Sequence, residues 1–442
     1  MRQSETVRKY DTYKNSGIEW IGKIPQNWNV RKLFGLLKSI GSGTTPKGYD
    51  SYYDGDIPWL NTGDLTDSYV NIIGKTVTDI AMTECSALKL FDKNSVVIAM
   101  YGATIGKLGI ITFPTTTNQA CCVMSCSKSL YNKYLFYVLY SARDYILTLS
   151  YGAGQPNISQ ETMKSFKLCC PDVVEQQQIA DYLDKKCGEI DKVIETEKLV
   201  IEKLKEYKQS IITKAVTKGL DKSVPLKDSG IEWIGKIPQH WEIIKLKKTI
   251  SLIADIDHYM PDTTDTGYSY LMTGDLKDIA SKIDFENCKH ISDSDYKDLS
   301  KKIHPVLDDV IFARYATIGT VCYVDIQKDF LVSYSCLTIR PNSEKLFGKF
   351  LYYYLISDTF KIEVSQYINS NTQSNVGLDS LQKVYMVLPN KTEQQQIAEY
   401  LDKKCSEIDK AIGDKQQVIE KFTEYKKSLI YECVTGKRKV IM

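Results

Sequence analysis

The chain has 442 residues, of which 43% are hydrophobic and 25% charged, the balance of a globular protein too long for one ordinary domain. A net charge of +2 gives no overall basic field, although Lys and Arg gathered on one face would still suit nucleic acid. No run reaches the roughly 20 apolar residues of a membrane span, and the polar Met1–Tyr10 stretch has no apolar run behind Arg2, Arg8 and Lys9, so neither leader nor membrane anchor is expected. The 12 cysteines form no CxxC, and Cys121-Cys122 and Cys169-Cys170 sit in apolar strand-like runs. They read as reduced, buried thiols of a cytoplasmic protein rather than zinc ligands. Tyrosine is abundant, at 30 residues, and aromatic side chains serve contact surfaces as well as cores.

In chain order the first landmark is Ser16–Trp28, SGIEWIGKIPQNW, which returns at Ser229–Trp241 with one change in 13 positions. Its tryptophans, Trp20, Trp28, Trp233 and Trp241, are expected to anchor a domain to a helix. A variable region follows each block. Within it Thr62-Gly63-Asp64-Leu65 answers Thr273-Gly274-Asp275-Leu276, and Ala103–Gly106 answers Ala316–Gly319. Strand-like runs, Val96–Met100, Leu108–Thr112, Asp309–Arg314 and Leu331–Ile339, are followed by helix-like runs at Tyr131–Leu149 and Leu346–Ser365. Each variable region therefore reads as a compact α+β domain with its own core.

The second landmark is Glu175–Lys192, EQQQIADYLDKKCGEIDK, matched at 16 of 18 positions by Glu393–Lys410. Apolar residues then recur in sevens: Leu183, Ile190, Leu204 and Ile211, and Leu401, Ile408, Phe422 and Leu429. A second row, Val193, Val200 and Tyr207, fills the intervening steps. Such a stripe belongs to a helix that packs on another helix. Each helix is expected to span roughly 38 residues, about 57 Å at 1.5 Å per residue. Glu197 and Lys415 occupy matching positions in the two stripes and either fix register or reach solvent. The chain thus divides into residues 1–174 with the first domain, 175–219 as a central long helix, 220–392 with the second domain, and 393–442 as the closing long helix. A duplication with fixed ends and divergent middles suggests one mechanical frame carrying two distinct readers, the alternative being a tandem duplication drifting under packing constraints alone.

Several loops carry residue types suited to DNA. Gly41–Lys47, GSGTTPK, offers Ser42, Thr44, Thr45 and Lys47 for phosphates. Tyr101–Lys107, YGATIGK, offers Tyr101, Thr104 and Lys107, and its counterpart Arg314–Thr320, RYATIGT, offers Arg314, Tyr315 and Thr317. Arg314 suits guanine or a phosphate, and the amides Asn118 and Gln119, next to Thr116, suit adenine. Gln155 and Asn157 in Tyr151–Ser159, and Gln373 and Asn375 in Asn369–Asn375, complete the set. Turns use the same residue types routinely. The segment Asp255–Pro261, DIDHYMP, brings Asp255, Asp257 and His258 close in sequence, and reads as a packed loop more readily than as a metal site. No methyltransferase NPPY or DPPY motif, GxxxxGK[ST] phosphate loop or HExxH occurs, which argues against catalysis by the chain itself.

The GIEWIGKIPxxW block, the EQQxIAxYLD helix and the ending YKKSLIYECVTGK, Tyr425–Lys437, together resemble the specificity subunit of type I restriction-modification systems, over the whole chain and in both copies. The resemblance implies a non-catalytic DNA-reading subunit with two target-recognition domains, one per half of a bipartite double-stranded target. It implies antiparallel long helices that set the spacer and dock two methyltransferase subunits, which endonuclease/translocase subunits then join. S-adenosylmethionine, ATP and Mg2+ would be used by those partners and no cofactor by this chain. The rival reading is a scaffold protein with two protein-binding domains on a coiled-coil spacer.

Overall fold

In both copies the GIEWIGKIP block folds as a short hairpin, Tyr13–Asn15 against Lys23–Pro25 and Leu226–Asp228 against Lys236–Pro238. Its turn needs left-handed backbone, supplied by Gly17 (φ +70°) and Gly22 (+69°) and by Gly230 (+74°) and Gly235 (+66°). This is a computed structural model, and it describes residues 8–151, 156–315, 317–369 and 374–440. The chain forms two compact units, residues 1–197 with 417–442, and residues 198–416.

In the first unit, five strands line up in the order Leu37–Gly41, Cys121–Cys126, Val96–Ala99, Leu108–Ile111, Ser68–Val70. A smaller sheet sets Tyr53–Leu60 between Thr116–Thr117 and Thr76–Val77. In the second unit the order Ile250–Ala254, Cys336–Pro341, Val310–Ala313, Val321–Tyr323 repeats the first four strands, and the fifth shrinks to a bridge between Ile279 and Tyr323. Its smaller sheet joins Lys289–Ile291, Tyr268–Leu271 and Phe330–Val332. The run expected over Leu331–Ile339 is therefore two strands in two sheets, because a turn closed by Cys336 N–H on Ser333 O interrupts it. Each helix-like run is likewise two helices, Asn132–Ser141 and Arg143–Thr148, and Gly348–Leu355 and Asp358–Ser365. Ser357 ends the continuity in the second case, its side chain capping the new helix at Phe360 N–H. The TGDL landmarks are backbone devices: Asp64 accepts from Asn61 N–H and Asp275 from Met272 N–H.

The long helices span Val173–Lys218 and Lys391–Val434, 46 and 44 residues. They exceed the expected length, and each starts two residues before its EQQQ motif, capped there by Asp172 on Glu175 N–H and by Asn390 on Glu393 N–H. Within each unit the two helices run antiparallel. In the first, Ile179, Leu183, Cys187 and Ile190 share a core with Leu429, Ile430, Cys433 and Val434. In the second, Ile212, Ala215 and Val216 share one with Ile397, Leu401 and Cys405. Of the second expected row, Val193 and Tyr207 are exposed and Ile201 is buried instead. A straight helix of 3.6 residues per turn drifts off a strict seven-residue repeat, which moves the seam. Glu197 and Lys415 are half-buried.

The EQQQ motif clasps each domain to its helix. Glu175 accepts from Trp28 Nε1 (3.1 Å) and Tyr10 OH (2.6 Å), and Glu393 accepts from Trp241 Nε1 (3.3 Å) beside His240. The next residue is a fully buried amide. Gln176 accepts from Tyr131 N–H and donates to the Ser129 and Pro171 carbonyls, and Gln394 accepts from Phe347 N–H and donates to those of Lys345 and Pro389. Two turns further on, Asp184 holds Lys133 and Tyr137 while Asp402 holds Lys349 and Tyr353. Trp28 and Trp241 thus reach the helices as expected. Trp20 and Trp233 pack inside their domains, the first stacked on Tyr145 and Phe166, the second donating to Glu363.

Candidate nucleic-acid interface

Sheet register decides which loops meet. In the first domain Gly41 lies opposite Val123 and Ala99 opposite Cys121. The segments 42–47, 101–107 and 118–120 therefore all leave from one end of the five-stranded sheet. Backbone bridges add Asn157, which lies opposite both Tyr101 and Tyr151. The loops are tied by neutral contacts: Ser42 Oγ accepts from Gln160 Nε2 (2.9 Å), Gly43 N–H donates to Thr117 Oγ1 (3.0 Å), and Thr45 Oγ1 donates to Gln119 Oε1 (2.7 Å). Gly43 is required, since a Cβ there would sit 1.9 Å from the Thr117 carbonyl oxygen. Trp59 Nε1 fixes the Thr44 carbonyl, and Asn118 donates to Asn61. Thr104 accepts from Lys107 N–H through its carbonyl. Lys47, Gln119 and Lys107 are exposed at this edge, Lys107 with Asp67 3.4 Å away.

The second domain brings the matching segments to the matching end, because Ala254 lies opposite Thr338 and Ala313 opposite Cys336. Tyr315 bridges to Asn375 as Tyr101 does to Asn157, and Thr317 is exposed. Here the ties are ionic. Arg314 is 7% exposed; its Nη2 lies 2.6 Å from Asp255 Oδ2, its Nε donates to the Tyr334 carbonyl, and its plane covers the Tyr315 ring. Lys302 Nζ reaches Asp255 Oδ1 at 3.0 Å. Burial raises the pKa of the Asp255 carboxyl, but the Lys302 hydrogen bond and the charges of Arg314 and Lys302 outweigh it and hold it below the usual aspartate value. His258 stands over Tyr334, ring centroids 4.9 Å apart.

The structure thus gathers Ser42, Thr44, Thr45, Lys47, Tyr101, Thr104, Lys107, Asn118, Gln119 and Asn157 at one edge, and Arg314, Tyr315, Thr317 and Asn375 at the other. Gln155 and Gln373 lie outside the described residues. The guanidinium of Arg314 is directed at Asp255 and orders the loops rather than facing solvent. Asp255, Asp257 and His258 form no metal cluster among the described residues; Asp255 serves the two cations. Sequence reasoning weighed His258 only as a metal ligand, not as a residue of the DNA-facing edge, and passed over Lys302 and Tyr334. Aligning strand Ile250–Ala254 on Leu37–Gly41 would have placed His258 at that edge, since 255–261 stands where 42–47 stands.

Fold and edges together define a class: a duplicated α+β protein with two loop-built polar edges, each domain clasped to a pair of antiparallel helices. The chain belongs to the family described as the type I restriction modification DNA specificity domain, whose model matches residues 25–206 and again 240–421. It is 26% identical over 424 residues to the type I restriction enzyme MjaVIII specificity subunit of Methanocaldococcus jannaschii, covering 95% of this chain and 94% of that one. A shorter match, 26% over 180 residues, covers 39% of this chain and 42% of the EcoR124I/EcoR124II specificity subunit of Escherichia coli. Among solved structures, a chain from a study of type I R-M system assembly and conformational transition superposes with a TM-score of 0.71 at 13% identity, covering 93% of this chain and 98% of that chain. The HsdS subunit from Thermoanaerobacter tengcongensis gives 0.51 at 14%, with the same coverage. These two likenesses concern the fold. Among the described residues no helix is long and apolar enough to cross a membrane.

Proposed function

We propose that the chain is the DNA-sequence-recognition subunit of a type I restriction-modification enzyme, each domain reading one half of a bipartite target through the loops at its sheet end. The observation that carries this reading is the repetition of one loop arrangement with different side chains, the arrangement expected of two readers of unlike sequence. Hydroxyls, amides and Lys47 and Lys107 at the first edge match phosphate and base-edge chemistry. In this reading the paired helices set the unread spacer and dock two methyltransferase subunits, and endonuclease/translocase subunits join them. The subunit is non-catalytic, and S-adenosylmethionine, ATP and Mg2+ act in the partners.

Methylation mapping in a cell carrying the intact system tests this: two specified half-sites with an unread spacer are expected. A four-residue insertion in one long helix should alter the spacing and leave the bases read unchanged. Altered bases at constant spacing would refute the role given to the helices. Binding of the methyltransferase complex to a split site should be specific and strongly salt-dependent, whereas a protein-binding scaffold would show neither property.

A further inference from the structure

At the second domain's edge one side chain is held rigidly on three sides and open on the fourth. His258 stacks on Tyr334 with an interplanar angle of 25°, and its Nε2 lies 3.0 Å from Arg314 Nη2, yet its side chain is 58% exposed. Arg314 and Asp255, which position it, are each 7% exposed, so the support is buried while the ring is not. The chemistry of the contacts fixes the ring's polarity. A guanidinium only donates, so Nε2 must accept from Arg314, and the proton of the neutral imidazole then resides on Nδ1. Asp255 Oδ2 lies farther from Nε2, at 3.3 Å, and an Nε2–H would set donor against donor with Arg314 Nη2 at 3.0 Å, so the arginine contact governs. Nδ1 has no hydrogen-bond partner among the described residues. The first domain offers no such group, since its matching segment, 42–47, contains no aromatic side chain.

We infer that His258 is a specificity-determining residue of the second half-site, donating from Nδ1–H to an acceptor on a base edge in the major groove. This rests on the DNA-reading function proposed above. A fixed donor accepts guanine (O6 or N7), adenine (N7) or thymine (O4) on the contacted strand and opposes cytosine, whose N4 amino group is itself a donor. Stacking on Tyr334 and the hydrogen bond from Arg314 hold the ring before DNA arrives, so little ordering entropy opposes the contact. Arg314 acts through His258 as a positioning residue.

The test is methylation mapping of the complete system with wild-type chain, with His258→Ala and with His258→Asn, whose amide keeps a donor. With His258→Ala, discrimination against cytosine at one position of the second half-site should fall by about tenfold, the lower end of the effect of one mismatched base pair. The first half-site and the spacer should not change. His258→Asn should restore the wild-type motif in part or whole, including in the event that His258→Ala abolishes methylation. An unchanged motif with His258→Ala, or loss of all methylation with both variants, would overturn the inference while leaving a bipartite wild-type motif to support the proposed function. Absence of a bipartite motif in the wild type would instead remove the function, and this inference with it.

Discussion

The two domains share a frame and differ in how they hold their loops. At the first sheet end the links are hydroxyl to amide, Ser42 to Gln160 and Thr45 to Gln119. At the second they are charged, Arg314 and Lys302 converging on Asp255. Beneath the edges the same contrast recurs. Trp20 stacks on Tyr145, and its Nε1 finds no partner among the described residues, whereas Trp233 donates to Glu363. The clasps to the long helices, by contrast, are alike. Selection for a common frame preserves backbone and helix contacts, and leaves the loop chemistry free to change provided each domain satisfies its own buried polar groups.

The sharpest way to break this comparison is to remove one charge from the second edge. Arg314→Ala leaves the buried Asp255 with Lys302 as its remaining cation, so the cost should approach but not reach the about 3–5 kcal/mol of a fully broken buried pair. Gln160→Ala at the first edge removes one neutral hydrogen bond and should cost about 1 kcal/mol. Hydrogen exchange resolved by segment checks both, with protection lost in the second domain only for Arg314→Ala. Equal losses at the two edges would show that the ionic cluster has no special structural weight.

The clasps should respond equally. Glu175→Ala removes the acceptor of Trp28 and Tyr10, and Glu393→Ala that of Trp241 and His240. Hydrogen bonds to a charged group contribute about 1.5–3 kcal/mol each, so losing two should cost each variant about 3–6 kcal/mol in denaturant unfolding. A loss confined to one would mean the two repeats are not mechanically equivalent.

Glu363 separates the domains by pH. It is 1% exposed, and burial raises its pKa above the usual glutamate value despite the Tyr385 N–H and Trp233 hydrogen bonds, which lower it. The folded state therefore favours the protonated form. The associated stability is full below the unfolded value of about 4.3 and is lost as pH rises through the higher folded value. The second domain should lose protection on going from pH 4 to neutrality more than the first, where Trp20 stacks on Tyr145 and meets no carboxylate among the described residues. Glu363→Gln should flatten that difference, as followed by segment-resolved exchange across this pH range.

Much of the frame was legible in the sequence because repetition supplied its own comparison. The 16 matched positions around Glu175 and Glu393 marked helices, and their apolar sevens marked a seam. The purpose of the motif's polar residues was not legible. Glu175 and Gln176 act on Trp28 and Tyr131, 147 and 45 residues away, and no local pattern reports such a contact. The loop clusters were identified by residue type, and sheet register then brought them together. Arg314 shows the limit of that reasoning: composition marks a cation, but only the fold reveals that Asp255, 59 residues earlier, occupies it.

The smallest expected effect probes the helix pair. Asp191 lies 2.7 Å from Lys426 in one unit and Lys208 lies 2.7 Å from Asp409 in the other. Asp191 and Asp409 are repeat equivalents, as are Lys208 and Lys426, so the same pair forms twice with the helices exchanging roles. The carboxylates are half exposed, at 55% and 51%, and water screens each pair to about 0.2–1 kcal/mol. A double-mutant cycle with Asp191→Ala and Lys426→Ala should give a coupling in that range, equal within error to that of Lys208→Ala with Asp409→Ala. Raising the salt to 1 M shortens the screening length to about 3 Å and should erase both couplings together. A coupling that survives in one unit alone would show that the helices pack unequally at their two ends, and with it that the duplication no longer supports its two readers alike.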